Sequence, residues 1–255
     1  MAADEAIMAA VAGGEQPPTL RLYTWRPPAL SLGYHQAFGE GIDPDECRRR
    51  GYGIVRRPTG GRAILHDDEL TYSVCVRQDE IAGGQSTMQS YREISRGIIA
   101  GLEVLGASVS LGDDQRSRDD APAAVKSMCF AKTARCDLQA EGRKIVGSAQ
   151  VRRDGAILQH GSIPLTIDPT SQAAVMPGSA REVDAAQALG RAAMSVSELL
   201  GRPVGCEEAE AAIIRGFAEA LGIELAPGEL SDAEQQGAER LRAEKYATEE
   251  FTRRV

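Results

Sequence analysis

The hydrophobic period of this chain changes between residues 70 and 105. Apolar or aromatic side chains occupy every second position from 70 to 76, which predicts a half-buried strand over 70–77. From 87 to 105 the apolar positions recur at intervals of three and four, which predicts a helix stopped by Gly106. A helix with one apolar face is most simply buried against a sheet, so this stretch alone predicts layers of helix and sheet.

The rest of the chain adds strands before residue 168 and helices after it. Strands are predicted over 19–25, 29–34, 54–57, 63–65, 136–141, 144–152 and 156–159, with Asp154-Gly155 as a hairpin turn. Helices are predicted over 43–50, 181–189, 195–200, 207–221 and 231–247. The pattern predicts an α+β fold with a mixed, largely antiparallel sheet flanked by helices. A length of 255 residues fits one domain over 1–255, in which 181–255 form a helical C-terminal segment.

Composition argues against several classes of function. The net charge of −8 disfavours a protein that grips nucleic-acid phosphates, and no window is apolar enough to span a membrane. Residues 1–11 carry two acidic side chains and predict a short helix rather than a signal peptide. The five cysteines lack CxxC spacing and the three histidines lie far apart. We therefore expect a cytoplasmic protein with neither a disulfide framework nor a metal site.

Two segments, 56–66 and 142–150, combine glycines with cations inside strand-like runs. Glycines in such runs indicate close approach of a backbone or a ligand, so we expect the two segments to share a binding groove. Their cations would form one basic mouth for an anionic ligand or an acidic partner. These cations are Arg56, Arg57, Arg62, Arg143, Lys144, Arg152 and Arg153. The alternative for any single arginine is a solvated strand face.

Several longer motifs follow one another in an order typical of one enzyme family. They are Asp4-Glu5-Ala6, residues 25–34 (Trp-Arg-Pro-Pro-Ala-Leu-Ser-Leu-Gly-Tyr), 56–63 (Arg-Arg-Pro-Thr-Gly-Gly-Arg-Ala), His66-Asp67, 69–73 (Glu-Leu-Thr-Tyr-Ser), 142–150 (Gly-Arg-Lys-Ile-Val-Gly-Ser-Ala-Gln) and 158–162 (Leu-Gln-His-Gly-Ser). On these motifs the chain resembles the lipoate/octanoate branch of the biotin–lipoate protein ligase superfamily. The resemblance covers about residues 4–165 and implies a class II aminoacyl-tRNA-synthetase-like catalytic fold. The Gly-Arg-Gly-Arg-type loop of biotin ligases is absent from the sequence.

The resemblance implies transfer of an octanoyl or lipoyl group to one lysine of a lipoyl-carrier protein, such as the glycine-cleavage H protein or an E2 lipoyl domain. Two mechanisms exist in this branch. Cofactor-free transferases take the acyl group from a donor such as acyl carrier protein through a cysteine thioester. Ligases instead use ATP and Mg²⁺ to form an acyl-adenylate. We expect the transferase mechanism, with the ligase and a non-catalytic binding module as alternatives.

The catalytic residues implied by the resemblance are Cys129 and Lys144. A Cys-Phe pair at this place supplies the nucleophile in LipM-type octanoyltransferases, and here Phe130 follows Cys129. An adjacent cation would raise the thiolate fraction of such a cysteine. The residues that follow depart from the subgroup's Asp-Ala-Pro-Ser pattern, since 131–135 read Ala-Lys-Thr-Ala-Arg. The alternatives are a buried structural role for Cys129 and nucleophilic use of Cys136.

The remaining candidate residues would bind substrate. They are Arg56, Arg57, Thr59, Gly60, Gly61, Arg62, Ala63, His66, Gly147, Ser148, Ala149, His160 and Gly161. Backbone amides of the glycine turn would donate to an anion or oxyanion, although that turn could also be purely structural. Apolar residues would form a slot for the acyl chain, namely Ala29, Leu30, Leu32, Tyr34, Ile64 and Ala149. We further expect Lys144→Ala to abolish transfer without affecting folding.

Overall fold

The computed structural model describes residues 1–112, 137–177 and 182–254. The strands are β1 (Thr19–Tyr23), β2 (Ala29–Leu32), β3 (Gly53–Arg56), β4 (Ile64–His66), β5 (Glu69–Arg77), β6 (Ser110–Leu111), β7 (Leu138–Ala140), β8 (Arg143–Arg153) and β9 (Ala156–Pro164). The helices are α1 (Ala2–Ala12), α2 (Pro44–Arg50), α3 (Thr87–Val104), α4 (Pro169–Val175), α5 (Glu182–Ala192), α6 (Val196–Leu200), α7 (Cys206–Leu221), α8 (Asp232–Leu241) and α9 (Glu249–Arg253). A π-helical turn, Arg242–Tyr246, continues α8.

The strands form two sheets rather than one. Over the described residues, the larger sheet has six antiparallel strands in the order β1-β5-β9-β8-β7-β6. The smaller sheet has the order β3-β2-β4, in which β2 is parallel to β3 and antiparallel to β4. The predicted α+β class with a largely antiparallel, mixed arrangement is confirmed. The parallel pairing is confined to the smaller sheet.

The two opposite faces of β5 bury different groups, as its alternating sequence predicts. One face places Leu70, Tyr72, Val74 and Val76 in the main core with Ile94, Ile98 and Leu102 of α3. The other face places Cys75 beside α1, in a smaller cluster with Ile7 and Val11. The larger sheet is therefore covered on both faces, and its central strands are deeply buried.

Local chemistry explains the ends of α2 and the β8–β9 hairpin. The Asp43 side chain accepts from the amides of Asp45 and Glu46 and caps α2, which ends at Gly51 in the left-handed region. Asp154 and Gly155 have φ values of 50° and 79°, which gives the predicted hairpin. Strand β9 runs to Pro164 because it pairs with both β5 and β8.

Two helices of the structure, α4 and α9, were not predicted from the sequence. Helix α4 has seven residues and α9 has five, which is too short for a clear apolar period. Among the described helices none is both long and apolar enough to cross a membrane.

Candidate active site

The junction of the two sheets contains a narrow crevice of about 40 Å³. Its walls come from β1, β4, β5, β8 and β9 and from Arg57, which follows β3. Eight of the residues expected to form the site line it: Arg57, His66, Lys144, Gly147, Ser148, Ala149, His160 and Gly161. A larger open groove of about 670 Å³ beside the C-terminal helices contains none of them. The crevice is therefore the candidate active site.

Lys144 is buried in the crevice wall and forms an ion pair with Asp137. Its Nζ lies 2.8 Å from Asp137 Oδ2, and both side chains are at most 2% exposed. The backbone carbonyl of Lys144 also accepts from the Met194 amide, which ties β8 to the segment after α5. An ammonium buried this deeply is fixed in place, whereas a solvated strand lysine would sample many rotamers.

This ion pair changes the result expected from Lys144→Ala. Removing one partner of a buried pair leaves an uncompensated charge, which costs about 3–5 kcal/mol of folding free energy. The alanine variant would remove one partner of this pair. We therefore expect Lys144→Ala to lower the stability of the fold, and an intact fold in this variant stays a prediction.

His160 lies at the centre of the crevice and is neutral at physiological pH. Its Nε2 is 2.6 Å from Thr59 Oγ1. Burial lowers the pKa of His160 from 6.5 to about 3, with Asp4 opposing and Arg57 reinforcing the shift. Within the described part of the chain, its Nδ1 is a buried atom without a hydrogen-bond partner.

Arg57 is buried beneath the loop that joins β3 to β4. Its Nη2 donates to the carbonyl oxygens of Gly60 (2.8 Å) and Arg62 (2.7 Å), and its Nη1 donates to the Ser31 carbonyl (3.1 Å). The guanidinium therefore shapes this loop from inside while also lining the crevice.

The other residues of this loop lie outside the crevice wall. Thr59 is buried and contacts His160, whereas Arg62 is exposed. Gly61 has a φ of 97°, and a Cβ on Gly33 would overlap the Gly61 carbonyl oxygen, so two backbones approach closely here. A Cβ on Gly60 would meet no atom within 4 Å, and Ala63 belongs to the core under the smaller sheet. The close approach that the glycines indicate is thus partly a contact between the backbones of Gly33 and Gly61.

Arg56 is a structural residue and does not line the crevice. Its guanidinium is fully buried and donates to the carbonyl oxygens of Gly33 (2.6 Å) and Gln36 (2.6 Å). It also donates to those of Thr252 (2.9 Å) and Arg254 (2.9 Å) at the end of the chain. Its donors are thus engaged by backbone, which argues against the expected role in substrate binding; that role stays a prediction.

The seven cations do not form one mouth. Arg143 and Arg153 are the two ends of β8, an 11-residue strand about 33 Å long. Arg143 pairs with Glu198 and Arg153 pairs with Glu5. Arg152 donates to the Gly84 carbonyl oxygen. These contacts spread positive charge over the sheet instead of concentrating it at the crevice.

The crevice is apolar along one side. Ile64 and Ala149 line it, whereas Leu30 and Leu32 are packed in the core beneath the smaller sheet. A Cβ on Gly161 would lie 2.6 Å from both Ser148 Oγ and Tyr72 Cε1, so glycine keeps this wall open. The Tyr72 hydroxyl donates to Ser148 Oγ (2.6 Å) and accepts from Gln159 (3.1 Å), which orients Ser148.

Cys129 and its rival Cys136 lie outside the described residues. Two important residues escaped the sequence analysis. Asp137 gives no signal beyond preceding a short strand, whereas Glu69 begins the quoted motif 69–73 and binds His66. Over the described ranges, no three histidine, cysteine or acidic side chains come together as metal ligands.

Comparison with known proteins identifies the family of the chain. Residues 1–218 match the family described as lipoyl protein ligase A/B catalytic domain. Octanoyltransferase LipM of Kyrpidia tusciae is 46% identical over 257 aligned residues, which cover 100% of this chain and 93% of the relative. A putative lipoate protein ligase from T. acidophilum with bound lipoic acid superposes with a TM-score of 0.80 at 26% identity, covering 100% of this chain and 92% of that one. A bi-partite lipoate protein ligase from Thermoplasma acidophilum was solved in a study that includes its E2 lipoyl domain. It superposes with a TM-score of 0.80 at 26% identity, covering 99% of this chain and 89% of that one. The chain belongs to the lipoyl protein ligase A/B catalytic domain family.

Proposed function

We propose that this protein is an octanoyltransferase that moves an octanoyl group, through a cysteine thioester, onto a lysine of a lipoyl-carrier protein. The observation that carries the proposal is the 46% identity to an octanoyltransferase LipM along the whole chain. The buried Lys144 in the crevice supports it, because transfer to an amine needs a fixed group beside the reacting carbonyl. We infer that residues 1–255 act as one catalytic domain.

Cys129 is the proposed nucleophile. Its thiolate attacks the carbonyl carbon of the donor thioester, a new C–S bond forms, and the donor's sulfur leaves as a thiol with the proton that Cys129 released. The neutral ε-amine of the acceptor lysine then attacks the same carbon. A C–N bond forms, the Cys129 C–S bond breaks, and the amine's proton returns to the thiolate. No nucleotide is consumed, because the thioester already activates the acyl group.

Two crevice residues have proposed roles around this chemistry. The Lys144 ammonium, held by Asp137, stabilises the thiolate and the negative charge that develops on the carbonyl oxygen. His160 lines the crevice as a neutral group, since burial keeps it from protonating. The acyl chain would run along Ile64 and Ala149. Burying the seven apolar carbons of this chain offers about 5 kcal/mol of binding free energy, enough to select for the length of the acyl chain.

The proposed partners follow from this reaction. The acceptor is a lipoyl domain, of the kind carried by the E2 protein named with the archaeal ligase, or the glycine-cleavage H protein. The proposed donor is acyl carrier protein. We favour this over an ATP- and Mg²⁺-dependent ligase, because the whole-length relative at 46% identity is an octanoyltransferase. A cytoplasmic setting stays a prediction.

The test is acyl loading in the absence of ATP. The protein is incubated with octanoyl–acyl carrier protein and weighed intact by mass spectrometry. We expect a mass gain of one octanoyl group that hydroxylamine removes, that disappears in Cys129→Ala and that persists in Cys136→Ala. Adding a lipoyl domain should discharge the adduct and octanoylate the domain.

Two outcomes would contradict the proposal. Loading that survives Cys129→Ala but is lost in Cys136→Ala would move the nucleophile to position 136. Octanoylation of the lipoyl domain that requires octanoate and ATP, with no adduct on either cysteine, would establish the ligase alternative.

A further inference from the structure

A continuous line of buried polar side chains runs along the crevice wall from Arg57 to Glu69. Arg57 Nη1 lies 3.1 Å from Ser31 Oγ, and Ser31 Oγ lies 2.8 Å from His66 Nε2. His66 Nδ1 lies 2.8 Å from Glu69 Oε1. All four side chains are at least 94% buried. We call these four residues the relay.

The two charged ends of the relay determine the direction of its hydrogen bonds. The guanidinium only donates and a carboxylate only accepts. His66 therefore donates from Nδ1 to Glu69 and, in its neutral form, accepts at Nε2 from the Ser31 hydroxyl. Ser31 in turn accepts from Arg57. Each group thus has one hydrogen-bonding state, which rigidifies the line.

Further donors converge on Glu69. The hydroxyls of Thr71 and Ser162 both donate to its carboxylate. The single tryptophan of the chain, Trp25, donates from Nε1 to Thr71 Oγ1 (2.8 Å) and stacks on His66 at a centroid distance of 4.4 Å. Thr71 and Ser162 belong to β5 and β9 of the larger sheet, whereas Ser31 and His66 belong to the smaller sheet. Glu69 therefore joins the two sheets at the site.

The other end of the relay controls the loop between β3 and β4. Arg57 pulls the carbonyl oxygens of Gly60 and Arg62 inward. In a trans peptide the N–H points opposite to the preceding C=O, so the Gly61 amide points away from the guanidinium. Gly61 itself is an exposed residue of this turn.

We propose that Glu69 is a positioning residue that acts through His66, Ser31 and Arg57 to hold the crevice wall, and the loop at 60–62 beside it, in the orientation that acyl transfer requires. This inference rests on the proposed octanoyltransferase function. It assigns Glu69 no contact with the substrate. The carboxylate matters because it sets the His66 tautomer, and an uncharged amide at this position would present a donor to neighbours that are themselves donors.

The test compares Glu69→Gln with Glu5→Gln. Glu5 is the matched control because it is also a buried carboxylate with convergent donors, from Lys245, Tyr246 and Arg153, yet it lies outside the crevice. In folded samples we expect Glu69→Gln to lower kcat by about 10- to 100-fold with little change in KM, less than the loss of a direct oxyanion donor. Glu5→Gln should lower the melting temperature while kcat/KM stays within about twofold of wild type.

Two readouts separate the relay from general stability and from the proposed function. ¹⁵N NMR of His66 should show the Nδ1–H tautomer in the wild type and lose it in Glu69→Gln, and Trp25 fluorescence should change in Glu69→Gln but not in Glu5→Gln. Absence of transfer by the wild type would refute the proposed function. Wild-type activity combined with equal kcat in the two variants, or with an unchanged His66 tautomer, would overturn the positioning role.

Discussion

At the scale of single residues, burial decides which side chains can do chemistry. His160 and Lys144 are both buried in the crevice wall, but they resolve the cost of burial differently. Lys144 forms an ion pair with Asp137 at 2.8 Å, whereas burial lowers the pKa of His160 to about 3. The crevice wall thus contains a fixed ion pair and a neutral hydrogen-bonding ring.

The neutral state of His160 predicts a pH dependence of stability. Its pKa is lower in the folded state than its ordinary 6.5, so the unfolded chain binds more protons between pH 6.5 and 3. Stability contributed by the neutral ring is complete above pH 6.5 and is lost as the pH falls, by about 1.4 kcal/mol per unit. Urea unfolding between pH 5 and 7.5 should show this slope, and His160→Gln should reduce it.

The exposed His35 provides the control for this prediction. His35→Gln should leave the slope unchanged. A slope that persists undiminished in both His160→Gln and His160→Asn would contradict the assignment of a depressed pKa to His160.

At the scale of elements, three glycines set the distance between α3 and α7. A Cβ on Gly216 would overlap the Gly101 amide, and a Cβ on Gly101 would lie 2.7 Å from Ile213 Cα. Phe217 occupies the space above Gly97. The C-terminal helices are therefore held to the core by backbone contact as well as by the apolar stripe on α7.

Gly216→Ala should destabilise the protein even though alanine favours helices. The gain in helix propensity is about 1 kcal/mol, whereas forcing two tightly packed helices apart costs about 1–3 kcal/mol or more. Gly190→Ala in α5 is the matched control, because nothing lies within 4 Å of its added Cβ. Urea unfolding should show a lower free energy of unfolding for Gly216→Ala than for the wild type. For Gly190→Ala it should show a free energy of unfolding higher by up to about 1 kcal/mol. Equal midpoints would contradict this packing.

At the scale of the whole molecule, two buried charged residues attach the C-terminal helices to earlier parts of the chain. Arg56 binds backbone carbonyls at 251, 252 and 254, while Glu5 of α1 binds Lys245 and Tyr246. Donors from Lys245, Tyr246 and Arg153 outweigh the effect of burial and lower the pKa of Glu5. The last helices thereby pack beside the smaller sheet.

Arg56→Met should release this C-terminal segment. The substitution leaves one buried and several partly buried carbonyl oxygens without this donor, which costs roughly 3 kcal/mol. Arg48→Met is the control, because Arg48 is exposed and its pair with Asp45 contributes little. Thermal unfolding should give a lower melting temperature for Arg56→Met than for Arg48→Met. Limited proteolysis should cleave Arg56→Met faster than Arg48→Met after residue 245. A raised KM in a variant of unchanged stability would instead restore Arg56 to substrate binding.

Much of the architecture was predictable from local patterns. The strand at 70–77, the helix at 87–105 and the hairpin at Asp154-Gly155 follow from side-chain period and turn chemistry, and all are present. Eight of the residues that the motifs suggested for the site line one crevice in the structure. The split into two sheets was missed, because pairing between strands distant in sequence has no local signature.

The amino-acid sequence by itself determined the elements, the family and the residue types available for chemistry, because these depend on periodicity and on motifs of adjacent residues. Only the tertiary structure decided what each charged group does. Arg56 and Arg57 are neighbours with identical side chains, yet one ties down the C-terminus and the other shapes the loop beside the crevice. Strand alternation sends consecutive side chains to opposite faces, and the partners they meet there come from remote parts of the chain.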